Sequence, residues 1–491
     1  MTHAAAALPA PARRPATHAL VRGEFLTAAG VALLATLVFA NALANGFVLD
    51  DRGIILSNPL VQQIAHSWRA FGLPYWPDTL GGGQYRPLAI LHFALDWRVG
   101  GGSPLWFHAL NVLWHAAATV LVWRLAAPLL APAFAILCAA LFAVHPVHVE
   151  AVANVVGRLE LMAAVFALGT LLAHRAGSWL AIPLFACGLL SKENAIVTLG
   201  LVAASDLLLA PRPSPLARRR SHRLHFGYAG VVILYIATLA IVFHNRPFHV
   251  QTGTLAGASL AERLWTMATV IPHYIRLLLL PASLSADYEP QVIPAAQGLT
   301  AAGAVGLLCL AAYGAGIVVA WKRHRPLAFA LVWIGIALAP VTNVFFASGV
   351  TLSERSLYLP SVGAMVALGI LLQGAWAHRP ALAYGVAGAL LVAGCLRTWT
   401  RTPVWHDDRT YTLTLLEDHP ESFRAHWVAG RVYRASGQLD AAARELAIAR
   451  RLFGGVPALY LESAEVAART GDARSAALLQ DSAATLTRSR P

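Results

Sequence analysis

EFLTAAGVALLATLVFANAL (24–43) runs almost directly into GFVLDDRGIILSNP (46–59). The first stretch is long enough to cross a hydrocarbon core of about 30 Å. The second sets two adjacent aspartates, Asp50 and Asp51, at its mouth. The apolar run is too long for the hydrophobic part of a signal peptide and lacks a small-residue cleavage site before a soluble region, so it reads as a retained anchor. Blocks of this kind, roughly 18–22 residues long, recur along the chain. The composition agrees: 57% of the 491 residues are hydrophobic and 12% are charged, where a soluble domain carries about 25% charged residues. The chain therefore belongs to the membrane class.

The net charge of +13 would suggest nucleic acid in a soluble protein. Here the positive residues gather in short clusters between apolar blocks: Arg13, Arg14 and Arg22; Arg218, Arg219, Arg220 and Arg223; Lys322, Arg323 and Arg325. That is the positive-inside pattern, and no nucleic-acid partner is expected. The four cysteines, Cys138, Cys187, Cys309 and Cys395, lie inside apolar blocks without CxxC spacing, which argues against disulfides or a thiolate metal site.

Taking the basic N-terminus as cytoplasmic, eleven spans alternate in step with the charge clusters. They cover about 24–44, 105–126, 129–144, 160–174, 178–190, 195–210, 227–244, 299–320, 327–345, 357–375 and 380–396. The segment 262–290 breaks the alternation if it crosses. It carries Arg263, His273 and Arg276, expensive on a lipid-exposed helix, and is expected to be re-entrant or interfacial. Residues 45–103 read as a polar loop on the non-cytoplasmic side. The expected organisation is a cytoplasmic tail (1–23), a transmembrane domain (24–398), a connector (399–422) and two tetratricopeptide-like repeats (423–490). In the repeats, Gly430, Tyr433, Gly437, Leu439, Ala442, Leu446 and Ala449 match Ala464, Ala467, Gly471, Ala473, Ala476, Gln480 and Ala483 at a spacing of 34. A plain helical hairpin is the simpler alternative. A pair of repeats is short for an independent solenoid and should pack on the membrane domain or the connector.

The topology gathers ionisable residues on the non-cytoplasmic side: Asp50, Asp51 and Arg86; His145, His148, Glu150, Arg158 and Glu160; Lys192 and Glu193; Asp287; Glu354 and Arg355. Each alone could be a solvated loop charge. Together, carboxylates that can abstract a proton from a hydroxyl beside cations that can hold a phosphate suit group transfer from a lipid phosphate at the bilayer surface. No phosphate-binding GxxxxGK[ST] loop is present, nor GxSxG or HExxH. HPVHVE (145–150) could offer His145, His148 and Glu150 to a divalent metal; the spacing is weak and metal is not favoured.

The stretches FVLDDRGIILSNPLV (47–61), YRPLAILHFALDW (85–97), FHALNVLWH (107–115), HPVHVEAVANVVGRLELMA (145–163), SKENAIVTLG (191–200), LLLLPASLSADY (277–288), SERSLYLPSVG (353–363) and RTPVWHDD (401–408) follow one another in order. In that order, and followed by the repeats, they resemble the transmembrane and tetratricopeptide-repeat O-mannosyltransferase family. The resemblance implies an all-α polytopic membrane protein of the GT-C glycosyltransferase fold, with the repeats on the lumenal or periplasmic face. It implies a polyprenyl- or dolichyl-phosphate sugar donor, transfer of mannose with inversion, and a Ser or Thr hydroxyl of a protein as acceptor. It places the catalytic acid in the first outer loop, with Asp51 favoured over Asp50. Arg355, then Arg86, Arg158 and Lys192, are expected at the donor phosphate. Glu150, His145, His148, Glu193, Asp287 and Glu354 are expected near the acceptor or behind the first contacts. The family usually carries many more repeats, so a lipid or cell-envelope glycan is an alternative acceptor. A non-catalytic scaffold whose repeats bind a protein partner is the other alternative, and a transporter ranks below both. The Ala- and Arg-rich composition suggests a bacterial inner membrane, or the endoplasmic reticulum in a eukaryote.

Overall fold

The computed structural model describes residues 17–77, 83–209, 215–244, 255, 257–288, 291–345 and 350–488. Arg13 and Arg14 of the expected cytoplasmic tail, and the side chains of Arg218, Arg219 and Arg220, lie outside what is described. Among the described residues there is no strand: the chain is an all-α polytopic membrane protein.

In chain order the helices are α1 (Thr17–Val38), α2 (Pro59–Gln62), α3 (Pro87–Gly100), α4 (Pro104–Ala126), α5 (Pro132–Ala143), α6 (Val149–Ala153), α7 (Arg158–Arg175), α8 (Ala181–Ser191), α9 (Thr198–Leu209) and α10 (Pro215–Val242). There follow α11 (Leu260–Leu279), α12 (Ala301–Arg323), α13 (Arg325–Leu338), α14 (Tyr358–His378), α15 (Pro380–Arg401), α16 (Asp408–Asp418), α17 (Phe423–Ala435), α18 (Leu439–Leu452), α19 (Pro457–Arg469) and α20 (Ala473–Arg488). Proline opens α2, α3, α4, α5, α15 and α19. It fits there because its missing N–H falls among the unpaired donors of the first turn.

Each apolar segment expected from the sequence holds a helix. Six helices among the described residues are long and apolar enough to cross a bilayer by themselves. A seventh crossing arises if α5 and the Pro146–Ala153 segment, bent by 45°, count as one, and Ala181–Ser191 and Arg325–Val341 are apolar but shorter. Burial separates centre from rim. The helical stretches Val155–Arg175 and Glu354–His378 are 78% and 72% buried, whereas Ser221–Val242 and Ala301–Arg323 are 11% buried. The first two form the core, and the others turn their leucines and valines outward, as lipid-facing helices do. Close approach uses glycine: a Cβ on Gly363 of α14 would meet the Ala330 carbonyl of α13 at 2.6 Å, the small-residue contact of packed membrane helices.

Two expectations change. The supposed polar loop 45–103 contains α3, a 14-residue apolar helix whose Ala89, Ile90, Phe93 and Ala94 are buried against its neighbours. Of the two forms expected for segment 262–290, a re-entrant or an interfacial helix, the described residues hold no re-entrant pair. The segment is one unbroken helix, α11, followed by an extended loop. Along its length Met267 touches Asn343, the Tyr274 hydroxyl donates to Val341 O, and Leu278 O faces His145. These partners all follow the ends of α13 and α5.

After α16, two helical hairpins follow in register: α17 and α18, then α19 and α20, with Gly437 and Gly471 at φ +80° and +87° in the turns. Glycine is required there because the left-handed region penalises a Cβ.

Candidate active site

The aspartate loop is clamped from two sides. Gly46 N–H donates to His406 O at 2.7 Å, and Gly46 O faces His108 Nε2 at 3.0 Å. Leu49 N–H donates to Asp408 Oδ1 at 3.0 Å, and Arg52 Nε donates to Asp408 Oδ2 at 2.6 Å. Asp408 is the last residue of RTPVWHDD, some 358 positions away in sequence, and it holds the loop in an unusual shape. Leu49 has φ +49°, a left-handed conformation that costs a bulky residue free energy and persists only when its surroundings impose it.

This shape sends the two aspartates to different environments. Asp51 is buried, 1% exposed. Its Oδ2 accepts from Val48 N–H at 3.0 Å and its Oδ1 from Val156 N–H at 2.9 Å. Burial pushes its acid up to about 7, with the neighbouring Asp50 charge adding and the backbone N–H groups opposing. Both oxygens being occupied, Asp51 is an anchor that ties the loop to the turn before α7. Asp50 is half-buried and forms no hydrogen bond or short ion pair among the described residues. Its charge is felt by Arg355 and Tyr75.

The turn that receives Asp51 is itself held from within. Asn111 Nδ2 donates to Val152 O and Asn154 O at 3.1 and 2.9 Å. Arg158, fully buried, donates from Nε to Asn111 Oδ1 at 2.6 Å and from Nη2 to Phe107 O at 2.6 Å. Its Nη1 pairs with Asp96 and faces His92 Nδ1 at 3.0 Å. His92 is held as a neutral ring, because burial first and Arg158 second hold it down to about 3, and its Nε2 accepts from Trp114 Nε1 at 3.2 Å. The expectation that Arg158 holds the donor phosphate is therefore corrected: its donors are spent inside the fold, between the rings of Phe93 and Phe107.

The remaining cations surround Asp50's end of the bundle. Arg86 makes a two-pronged pair with Glu193, at 2.9 and 2.5 Å, over the Tyr75 ring. Burial pushes the Glu193 acid up, but the Arg86 charge and hydrogen bonds outweigh it and hold it at about 2. Lys192 pairs with Glu160; burial lowers its ammonium, and Glu160 counteracts. Arg355 differs. Glu150 accepts from the Arg355 backbone N–H at 2.8 Å and lies 3.4 Å from its Nε. The two terminal guanidinium nitrogens make no hydrogen bond among the described residues, and the side chain is 29% exposed. Glu150 thus orients Arg355 and leaves its fork open.

The ligand atoms of His145, His148 and Glu150 do not come together as a metal-ligand group among the described residues. The His145 Nδ1 accepts from Val147 N–H at 3.3 Å and its Nε2 donates to Leu278 O at 3.1 Å. His148 Nε2 meets Ser361 Oγ at 2.8 Å, fully buried. They are packing and hydrogen-bonding groups of the core. Glu354 and Asp287 also have other duties. Glu354 Oε1 accepts from Ser285 N–H at 2.6 Å and the Tyr288 hydroxyl at 2.7 Å. Asp287 Oδ2 accepts from Ser422 Oγ at 2.7 Å, where Ser422 caps α17. Nearby, Gln291 Nε2 donates to Leu452 O and its Oε1 accepts from Phe423 N–H. Glu354 thus fixes a loop that grips the first hairpin. Asp408, Asn111 and Tyr75 were missed as site-shaping residues. The motifs FHALNVLWH and RTPVWHDD contained two of them, without any spacing to show their partners.

Beside this cluster an apolar cavity of about 300 Å³ opens, lined by Leu141, His145, Leu278, Met365, Leu390 and Arg397 among others. Its His145–Pro146 wall continues into the segment that bears Glu150.

The chain is 35% identical over 316 residues to the protein O-mannosyl-transferase Tmtc2 of Drosophila melanogaster, covering 60% of this chain and 33% of that one. It is 27% identical over 544 aligned positions to Tmtc1 of the same organism, covering 88% and 62%. It is 28% identical over 482 positions to human protein O-mannosyl-transferase TMTC4, covering 84% and 64%. The chain thus spans between a third and just under two thirds of the length of these relatives. No family model matches it, and no solved structure does. By sequence, the chain is similar to proteins named protein O-mannosyl-transferases, in line with the resemblance that its motifs carry.

Proposed function

We propose that the chain is a membrane glycosyltransferase that moves a sugar, mannose, from a polyprenyl-phosphate donor to a Ser or Thr hydroxyl of a protein. The site would face the side of the membrane opposite the basic clusters. The observation that carries this reading is the pairing of an unoccupied carboxylate, Asp50, with a guanidinium whose fork is open, Arg355, at one end of an apolar bundle. Asp50 takes the proton from the acceptor hydroxyl as its oxygen bonds to the anomeric carbon. The bond from that carbon to the phosphate oxygen breaks on the opposite side, and the lipid phosphate leaves with the electron pair. Arg355 receives the phosphate charge in two-pronged fashion. Arg86 and Lys192 are already matched by Glu193 and Glu160, so they set the field around the phosphate instead of gripping it. The apolar cavity between α5, the end of α11, α14 and α15 suits an isoprenoid chain.

On this reading the base is Asp50 and not Asp51, because both oxygens of Asp51 already accept backbone N–H groups. The test is incorporation of labelled polyprenyl-phosphate mannose into Ser/Thr peptide by membranes carrying the wild type, Asp50→Asn or Asp51→Asn. Asp50→Asn is expected to lose about 10²–10⁴-fold in rate with unchanged unfolding, the usual contribution of a general base. Wild-type incorporation by Asp50→Asn would remove it from the mechanism. Label moving into a lipid distinct from the donor, and not into peptide, would leave the chemistry standing and replace the acceptor.

A further inference from the structure

At the opposite end of α7 from the site lies a second cluster. His174 is the penultimate residue of α7, 16 residues after Arg158, hence about 24 Å along the helix. Its Nε2 lies 3.2 and 3.3 Å from the two oxygens of Asp206 on α9. The Nε2 of His225, on α10, lies 4.0 Å from Asp206 Oδ2. The three ligand atoms fall within 4.8 Å of one another, the sole such His/Cys/Asp/Glu group among the described residues.

The protons decide what the cluster is for. His225 Nδ1 is 2.8 Å from Ser221 O. A carbonyl only accepts, so Nδ1 carries the hydrogen, and in the neutral ring Nε2 presents a bare lone pair. That lone pair faces a carboxylate, acceptor toward acceptor. Ser221 Oγ does not relieve this, since it donates to Asp206 Oδ2 at 2.9 Å. The His174 Nδ1 is likewise occupied, by the Tyr228 hydroxyl at 3.0 Å, with Nε2 left toward Asp206. Nδ1 engaged by an oxygen and Nε2 directed inward is the arrangement that orients metal-bound histidine. The nearby guanidinium of Arg175 is turned to Ser205 Oγ at 3.0 Å.

We infer that His174, Asp206 and His225 form a binding site for a divalent transition-metal ion of the zinc type. Two imidazoles and a carboxylate from three helices suit four-coordinate zinc with one further ligand from water. The ion would staple α10 to the bundle. That helix is otherwise turned outward, with Phe226, Ile233, Leu234 and Ile241 exposed. It docks through Leu224, Gly227 and Tyr228 at the level of the cluster, where a Cβ on Gly227 would collide with Ile182 at 2.2 Å.

The test uses the full chain in detergent, carrying no oligohistidine tag. Zinc bound per chain is measured by competition with a chromogenic chelator, and Co²⁺ serves as a spectroscopic substitute. The wild type is expected to bind one equivalent, show ligand-field absorption with Co²⁺ and gain thermal stability with Zn²⁺. Half-exposed His225→Ala is expected to lose more than the roughly 10–100-fold that follows removal of a mere outer partner, and with it the zinc-dependent shift in Tm. Asp206→Asn should behave likewise, while His145→Gln should bind as the wild type does. Equal zinc binding by the wild type and His225→Ala, or no binding by a wild type that melts cooperatively, would overturn the assignment.

Discussion

The Arg158 and Arg355 clusters lie near one another, draw on the same residue types and end in opposite states. Around Arg158 each of the three guanidinium nitrogens has a partner, and the side chain is fully buried between aromatic rings. Around Arg355 a single carboxylate, Glu150, holds the backbone and the near edge of the guanidinium, and the fork is left open. The aspartates repeat the contrast one residue apart: Asp51 is closed by two N–H groups and Asp50 is open. A closed cluster fixes a shape, and an open one is available for chemistry. A side chain's charge does not tell the two apart; the number of its partners does.

The comparison breaks most visibly at Arg158. Arg158→Met leaves the buried Asp96 without its guanidinium, with only the His92 ring nearby, and the cost is expected at about 3–5 kcal/mol in chemical unfolding. Recovery of a well-folded variant with wild-type stability would show that the cluster is not closed. Arg355→Ala is expected to do the converse. Transfer should fall by roughly 10–150-fold, the worth of about 1.5–3 kcal/mol for a charge-assisted hydrogen bond, with unfolding unchanged. Arg355→Lys should recover less than half of the lost rate, because an ammonium cannot reproduce the two-pronged contact.

Asp51→Asn sharpens the contrast within the loop. An amide can accept from only one of Val48 and Val156, so one buried N–H is stranded at a cost of about 1–3 kcal/mol. The smallest effect is the pH dependence. With Asp51 held up to about 7 in the folded chain, against an ordinary 3.8, the folded state binds its proton more tightly than the unfolded one. Its stabilising contribution is therefore fully present below about pH 4 and is lost as pH rises through 7. Comparing Tm of the wild type and Asp51→Asn from pH 4 to pH 8 checks this. Parallel curves would mean that Asp51 does not titrate in that window.

What could be read from the sequence was local and periodic. Apolar blocks marked the helices, the 34-residue offset marked matching windows, and the DD pair marked the loop. Contacts across hundreds of residues could not be read. Nothing in RTPVWHDD shows that Asp408 will hold Leu49 in a left-handed conformation. Nothing about Asp287 shows that it will cap onto Ser422 instead of meeting an acceptor. Arg158 and Arg355 are the same residue type at the ends of apolar segments; only packing shows that α3, concealed in a stretch that reads as a loop, brings Asp96 and His92 to the first of them. Asp50 and Asp51 differ only through Leu49, whose backbone turn has no signature in an apolar side chain.

The grip on Ser422 and Phe423 by Asp287 and Gln291 falls on the opening residues of α17 and its cap, the near edge of the helical array. A stack held by its first unit is open to growth by duplication at its other edge: hairpins added after α20 would lengthen the stack without disturbing the lock on the membrane domain. A substitution at Ser422 would instead loosen the seat shared by every unit, whatever their number. The reach of such a protein and the accuracy of its chemistry can therefore change separately across generations.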